Sequence, residues 1–366
     1  MSADPARTGL DTAVIAWAAE KDWKRDEARF EALALALFAH QFERCAPYRA
    51  FCVQRGRTPR SVERWQDVPC VPTGGFKELE LVSFPVERAV ARFETSGTST
   101  TARGALHLDT LSVYEASLLA SFRRALLPEL PEAARVAMRV LAPSTREAPH
   151  SSLSYMFDTA LRELGAPDSG HWVRDEALDW PRIEAEGEAL ADVDGPLLLC
   201  GTAFAFVHLV DGLAARDLHL ALPPGARLME TGGFKGRSRE LPPADLYAAL
   251  EARLAVPPER IVNQYGMTEL GSQFYDSVLR EPGAPRRKLA PPWTRVRLLG
   301  EDGEEVASGE PGRIALVDLA NTGSVAFVET ADLGRAVGGG FEVLGREPGA
   351  EARGCSIAAD ALLAGR

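Results

Sequence analysis

Four short apolar runs separated by segments of helical periodicity constrain this chain more than any other feature. RVAMRVLAP (135–143), LLLCGT (197–202), ARLMET (226–231) and RIVNQYG (260–266) read as buried strands. The second and fourth reach a glycine at their ends, the third runs into Gly232-Gly233, and the apolar stretch AFAFVHLVDGLAA after the second reads as a helix. Strands alternating with helices in this way predict an α/β sheet with ligand-binding loops at the carboxyl ends of its strands. Before the first run, Asp109 to Leu127 has the pattern of an amphipathic helix capped by Asp109 or Thr110, and residues 11–53 have helical spacing broken near Asp22. From Trp293 onward the pattern changes to short strands and turns (TRVRLLG, GRIALVDLA, SVAFVET, GGFEVLG). The expected layout is a helical lead-in over 1–60 packed on the main domain, an α/β core over 61–290 and a β-rich subdomain over 291–366.

Charge and cysteine usage narrow the function. The chain of 366 residues carries 41 Lys and Arg against 52 Asp and Glu, a net charge of −11, and no basic run. That balance argues against nucleic acid as a partner. The cysteines at 45, 52, 70, 200 and 355 are scattered with no C-x-x-C spacing, which argues for a reducing compartment and against zinc or disulfides. With no apolar N-terminal segment and no run of membrane-spanning length, a cytoplasmic enzyme is expected. Lysines are few (Lys21, Lys24, Lys77, Lys235, Lys288), so each one stands out.

The chemistry concentrates first in RFETSGTSTTARGALHLD (92–109), where Thr95, Ser96, Thr98 and Ser99 surround Gly97, with Arg103-Gly104 just after. Hydroxyls, free amides and one fixed cation in a glycine-bearing loop suit a polyphosphate. The residue order is neither a Walker loop nor a dinucleotide fingerprint. In VNQYGMTELGSQFYD (262–276), a strand ends in Tyr265-Gly266, and Thr268-Glu269 is expected to open a helix. An aromatic ring, a hydroxyl and a carboxylate within one turn match the needs of adenine, phosphate and Mg2+. In Thr330-Ala331-Asp332-Leu333-Gly334, Asp332 is a carboxylate able to accept from two vicinal hydroxyls. VPTGGFKELEL (71–81) predicts a small helix near Gly74 that presents Lys77 and Glu78.

Together these segments resemble the adenylate-forming enzymes, the acyl-CoA synthetase and firefly-luciferase superfamily. Thr95-Ser96-Gly97-Thr98-Ser99 with Arg103-Gly104 resembles its phosphate loop, although Thr100 stands for a glycine and Ala102 for a proline. Tyr265-Gly266-Met267-Thr268-Glu269 resembles its Y-G-x-T-E motif, and Thr330 to Gly334 its T-G-D-L-G. The resemblance implies ATP and Mg2+ as cofactors, Glu269 on the metal, Asp332 on the ribose, Gly232-Gly233 and Tyr265 at the adenine, and Lys235 near the phosphates. VPTGGFKELEL, METGGFKGRSRE, YGMTELGSQFYD and LGREPGAEARGCS look like the LuxE-type acyl-protein synthetases over roughly residues 60–357. That branch implies a C-terminal cysteine that receives the acyl group, here Cys355, with Arg346 and Arg353 nearby to lower its pKa.

Larger superfamily members carry a further C-terminal domain of about a hundred residues with a lysine that assists adenylate formation. This chain is expected to lack it, so that Lys77, Lys235 or Arg103 supplies the charge at the α-phosphate. The expected function is Mg-ATP-dependent activation of a carboxylic acid as acyl-AMP, then acyl transfer to a thiol on Cys355, a partner protein, a reductase or a carrier such as CoA. The alternatives are a subunit that binds nucleotide or acyl adenylate without turnover, and an adenylating protein for an aromatic acid in antibiotic biosynthesis. His150, Ser151, Ser152, Tyr155, Phe204 and His208 are the expected pocket rim.

Overall fold

Three helices open the chain, two of them where an aspartate caps the first turn: α1 (Pro5–Ala18), α2 (Glu27–Arg44) and α3 (Ala46–Gln54). Asp4 accepts from the Ala6 amide at 3.0 Å and Asp26 from the Arg29 amide at 2.9 Å, satisfying donors that a helix start leaves free. The computed structural model describes residues 4–95, 104–175, 177–191, 193, 195–220, 222–232 and 241–346. By internal contacts these form two units: one from Met1–Ser121, Gly266–Phe274 and Leu289–Arg366, the other from Phe122–Tyr265 and Tyr275–Lys288.

After the helices come β1 (Val71–Pro72), α4 (Gly75–Glu78), β2 (Ala91–Glu94), β3 (Ala105–Leu108) and α5 (Ser112–Leu126). Thr110, not Asp109, serves the start of α5, its hydroxyl accepting from the Ser112 amide at 3.3 Å. Asp109 is drawn instead to Arg7, 2.6 Å away.

The second unit continues with β4 (Ala137–Leu141), α6 (Ser152–Leu164), β5 (Gly170–His171), β6 (Val173–Arg174), β7 (Ala177–Leu178) and α7 (Trp180–Leu190). It then runs through β8 (Leu197–Thr202), α8 (Ala203–Ala215), β9 (Arg227–Thr231), α9 (Pro243–Leu254) and β10 (Ile261–Tyr265). In this unit β10, β9, β8, β4 and β5 pair side by side, all in parallel. Helices between successive parallel strands cover both faces of such a sheet, so its strands lose their alternation. Leu197, Leu198, Leu199 and Cys200 are accordingly all fully buried. On one face Leu199, Leu228 and Ile261 share a core with Phe206 of α8 and Leu250 of α9.

The remaining strands are β11 (Phe274–Asp276), β12 (Lys288–Leu289), β13 (Thr294–Leu299), β14 (Gly312–Asp318), β15 (Phe327–Val337) and β16 (Gly340–Arg346). In the first unit β13, β14, β15 and β16 form an antiparallel meander, and β1 adds in parallel to β15, Val71 opposite Val328 and Pro72 opposite Glu329. β13 to β16 are the short strands expected after Trp293, and the fold is mixed α/β.

The expected helix at Thr268 does not form. Residues 266–273 turn and lead into β11, because groups from the 318–321 loop take the positions that helical bonds would need. Asp318 accepts from the Gly271 amide at 2.8 Å and the Ser272 hydroxyl at 2.6 Å, while Asn321 donates to the Glu269 carbonyl at 2.8 Å. A Cβ on Gly271 would lie 2.9 Å from the Ala320 backbone, so only glycine permits that approach.

Candidate active site

Within the first unit, four segments that carry the sequence motifs converge. The hairpin β2–β3 brings Thr95 and Gly104 together: the Thr95 amide donates to the Gly104 carbonyl at 2.8 Å, and the Gly104 amide donates to the Thr95 hydroxyl at 3.0 Å. Those bonds hold the two ends of the hydroxyl-rich loop in one place. Ser96, Gly97, Thr98, Ser99 and Arg103, the loop itself, lie outside the described residues, as do Gly233, Lys235, Arg353 and Cys355.

The Thr268 hydroxyl donates to the Glu94 carbonyl at 3.4 Å, joining the Y-G-x-T-E turn to that hairpin. Glu269 is buried and makes no ion pair among the described residues. Burial pushes its carboxyl above the ordinary value, against the pull of its own backbone amide and of Lys77 and Arg346, while Asp332 adds to the push. A buried carboxylate without a paired cation is costly, and Mg2+ would relieve that cost. Among the described residues no three His, Cys, Asp or Glu side chains cluster; Mg2+ at nucleotide sites is commonly held by one or two carboxylates and phosphate oxygens, which a lone Glu269 fits.

Asp332 lies inside β15 rather than in a turn. The strand is irregular there, its register shifting between Leu333 and Gly334 against β16 and between Arg313 and Ala315 on β14. Thr330 steers this irregularity: its hydroxyl donates to the Ile314 carbonyl at 2.9 Å and accepts from the Asp332 amide at 3.1 Å. Gly334 has a packing reason, because a Cβ there would sit 2.8 Å from the Ile314 side chain and 2.9 Å from the Glu342 carbonyl. Arg346, largely exposed at the end of β16, pairs with Asp332 at 3.4 Å.

The second unit holds Gly232 and Tyr265 at the carboxyl ends of the adjacent strands β9 and β10. One turn earlier lies a buried polar network that sequence reading missed. Asn263 donates to Glu230 at 2.5 Å, the Tyr247 hydroxyl donates to the same oxygen at 2.8 Å, and Lys288 donates to the Asn263 carbonyl at 2.8 Å and to Asp276 at 2.7 Å. The signal for it was a polar residue at an inward position of each strand, Glu230 in LMET and Asn263 in VNQ. His171 was missed as well. Its ring nitrogens face the Ala142 carbonyl at 2.8 Å and Asp158 at 2.7 Å, and these acceptors hold it above its ordinary pKa although burial pulls it down.

Of the expected rim residues, Ser151 caps α6, accepting from the Ser154 amide, and Phe204 packs its ring on His208 along α8. Burial pushes the Cys45 thiol up to about 11 and the Cys52 and Cys70 thiols up to about 12. None of these is a ready nucleophile, since the thiolate is the reactive form. No helix among the described residues is long and apolar enough to cross a membrane.

Solved structures share this fold. One of 2-hydroxyisobutyryl-CoA ligase in an open conformation, in complex with 2-HIB-AMP and CoA, matches with a TM-score of 0.62 at 14% identity over 84% of this chain and 65% of that one. The same ligase in its postadenylation state with 2-HIB-AMP matches with a TM-score of 0.64 at 13% identity over 87% and 67%. ATP-bound MatB from Rhodopseudomonas palustris gives a TM-score of 0.50 at 17% identity over 72% and 49%. The chain therefore spans about two thirds of the length of the first ligase, and at these identities the likeness is one of fold. No curated protein matches the sequence. Residues 8–363 match the family described as acyl-protein synthetase, LuxE, and the chain belongs to that family.

Proposed function

We propose that this protein activates a carboxylic acid with Mg-ATP as acyl-AMP and passes the acyl group to a thiol. The observation that carries the reading is the convergence, within one unit, of Thr95 and Gly104, Thr268 and Glu269, and Asp332: the motifs expected to serve phosphates, metal and ribose. Membership of the acyl-protein synthetase family and the ligase fold support it.

In the first step a carboxylate oxygen of the substrate bonds to the α-phosphorus, and the bond to the β-phosphate oxygen breaks, its electron pair leaving with pyrophosphate. Little covalent chemistry falls to the protein, so catalysis rests on positioning and charge neutralisation. Asp332 accepts the ribose hydroxyls, the Thr95 hydroxyl donates to a phosphate oxygen, the Thr268 hydroxyl turns from the Glu94 carbonyl to donate to another, and Glu269 would hold Mg2+. The ion, when bound, neutralises charge on the β- and γ-phosphates. In the second step a thiolate attacks the acyl carbon and AMP departs. Cys355 is the proposed acceptor within the chain, with a carrier or partner thiol as the other outcome of the test.

The experiment is pyrophosphate release with a panel of carboxylic acids, followed by intact-mass analysis. Turnover with at least one acid and a hydroxylamine-labile adduct that disappears in Cys355→Ser support both steps. No pyrophosphate with any acid sinks the first, whereas turnover without an adduct places the acceptor elsewhere. For nucleotide binding, Asp332→Ala is expected to weaken AMP by about 1.5–3 kcal/mol, the range for hydrogen bonds to a charged group. Calorimetry with unchanged affinity would remove Asp332 from the site. The Arg346 pair hardly enters that figure, since an ion pair with so exposed a partner contributes about 0–1 kcal/mol.

A further inference from the structure

Resting on the adenylation reading above, we infer that the Lys77 ammonium contacts the α-phosphate and neutralises it as acyl-AMP forms, which makes Lys77 a catalytic residue of this chain. Three observations lead there.

The first is placement. Pairing of β1 with β15 carries the chain along the strand that bears Asp332, and the Thr73 amide donates to the Glu329 carbonyl at 2.9 Å. The single turn of α4 follows at once and sets Lys77 against the hairpin ends. A Cβ on Gly104 would lie 3.4 Å from Lys77 Cγ, 3.4 Å from the Phe76 carbonyl carbon and 3.2 Å from the Thr95 methyl. The Lys77 stem thus lies against the base of the hydroxyl-rich loop at Gly104.

The second observation is charge. Every other described cation in this cluster is engaged: Arg92 with Glu94 at 3.2 Å, Arg313 with Glu329 at 3.1 Å and Arg346 with Asp332 at 3.4 Å. Among the described residues the Lys77 ammonium has no ion pair, and the residue is exposed. An anion arriving there meets a cation that no carboxylate among the described residues holds.

The third is the neighbour. Lys77 acts on the buried Glu269 carboxyl, so it stands within electrostatic range of the group assigned to the metal without being bound to it. A cation near the carboxylate side and a metal on it would place positive charge about the two ends of the bond that breaks. In that reaction the carboxylate–phosphorus bond forms and the phosphorus–oxygen bond to pyrophosphate breaks, with no proton moved. Lys77 acts in it as a fixed charge, not as an acid.

The test uses the full chain with Lys77→Met and Lys77→Arg and the panel acid that wild type turns over fastest. Lys77→Met is expected to lower kcat for pyrophosphate release about 100-fold or more, the usual effect of removing one transition-state donor. Lys77→Arg, which keeps the charge, should restore most of that loss. Transfer from synthetic acyl-AMP to an external thiol should also slow in Lys77→Met and recover in Lys77→Arg, because the α-phosphate departs with AMP carrying the electron pair of the broken acyl–oxygen bond. Lys77→Met turning over like wild type, or Lys77→Arg as slow as Lys77→Met, overturns the assignment while the adenylation reading stands. Wild type that releases no pyrophosphate with any acid overturns that reading and the role of Lys77 with it.

Discussion

Glu269→Gln is expected to lower Mg-ATP-dependent pyrophosphate release about 100-fold or more, the scale set by removing one preorganised charge-stabilising group. AMP binding should change by less than about threefold, because AMP lacks the β- and γ-phosphates whose charge a metal on Glu269 would neutralise. The amide keeps the shape of the side chain, so the turn fixed by Asn321 on the Glu269 carbonyl is undisturbed. Equal losses in turnover and AMP affinity would make Glu269 a structural residue. A second readout follows from burial. The folded carboxyl titrates above its ordinary value of 4.5, so the folded state binds the proton more tightly than the unfolded state. Stability from this group is therefore fully present below 4.5 and is lost as pH rises through the raised value. Thermal melts without nucleotide should show less of that fall in Glu269→Gln, and an identical pH profile would show that the carboxyl does not ionise under strain.

Lys288→Met should destabilise the protein by about 3–5 kcal/mol, the cost of removing one partner from a buried ion pair. Lys288 and Asp276 are almost wholly buried at 2.7 Å, and Arg286 reaches the other Asp276 oxygen at 2.5 Å. Burial pulls the Lys288 ammonium below its ordinary range while Asp276 holds it up, and burial pushes Glu230 above its own. Removing the lysine leaves Asp276 short of one cation and frees the Asn263 carbonyl, two residues before Tyr265 on β10. Chemical denaturation measures the loss. Replacing Asp276 by leucine in the same variant should recover part of it, since an apolar pair leaves fewer charges stranded. A loss under about 1 kcal/mol would mean that water reaches this network, as it does for a surface pair.

The sequence by itself determined the parallel strands, because uniformly apolar runs such as LLLCGT can only be buried on both faces, and it marked the motifs proposed to hold nucleotide, because hydroxyls, glycines and carboxylates at fixed spacing are local features. The meander after Trp293 was legible for the same reason. Several decisions were non-local. The Thr268-Glu269 segment has the composition of a helix start, yet Asp318 and Asn321, about fifty residues later, take up its amides and carbonyl and hold it as a turn. Asp332 sits at an irregularity inside β15, set by Thr330 bonding across to Ile314, which no local pattern announces. Nothing local to Lys77 marked it as a cation without an ion pair among the described residues, because that depends on which arginines find carboxylates, and Arg346 meets Asp332 only once β15 and β16 pair. Local propensity selects elements along the chain. Which charges remain unpaired when those elements pack is a property of distances between residues far apart in sequence, and only the tertiary structure fixes those.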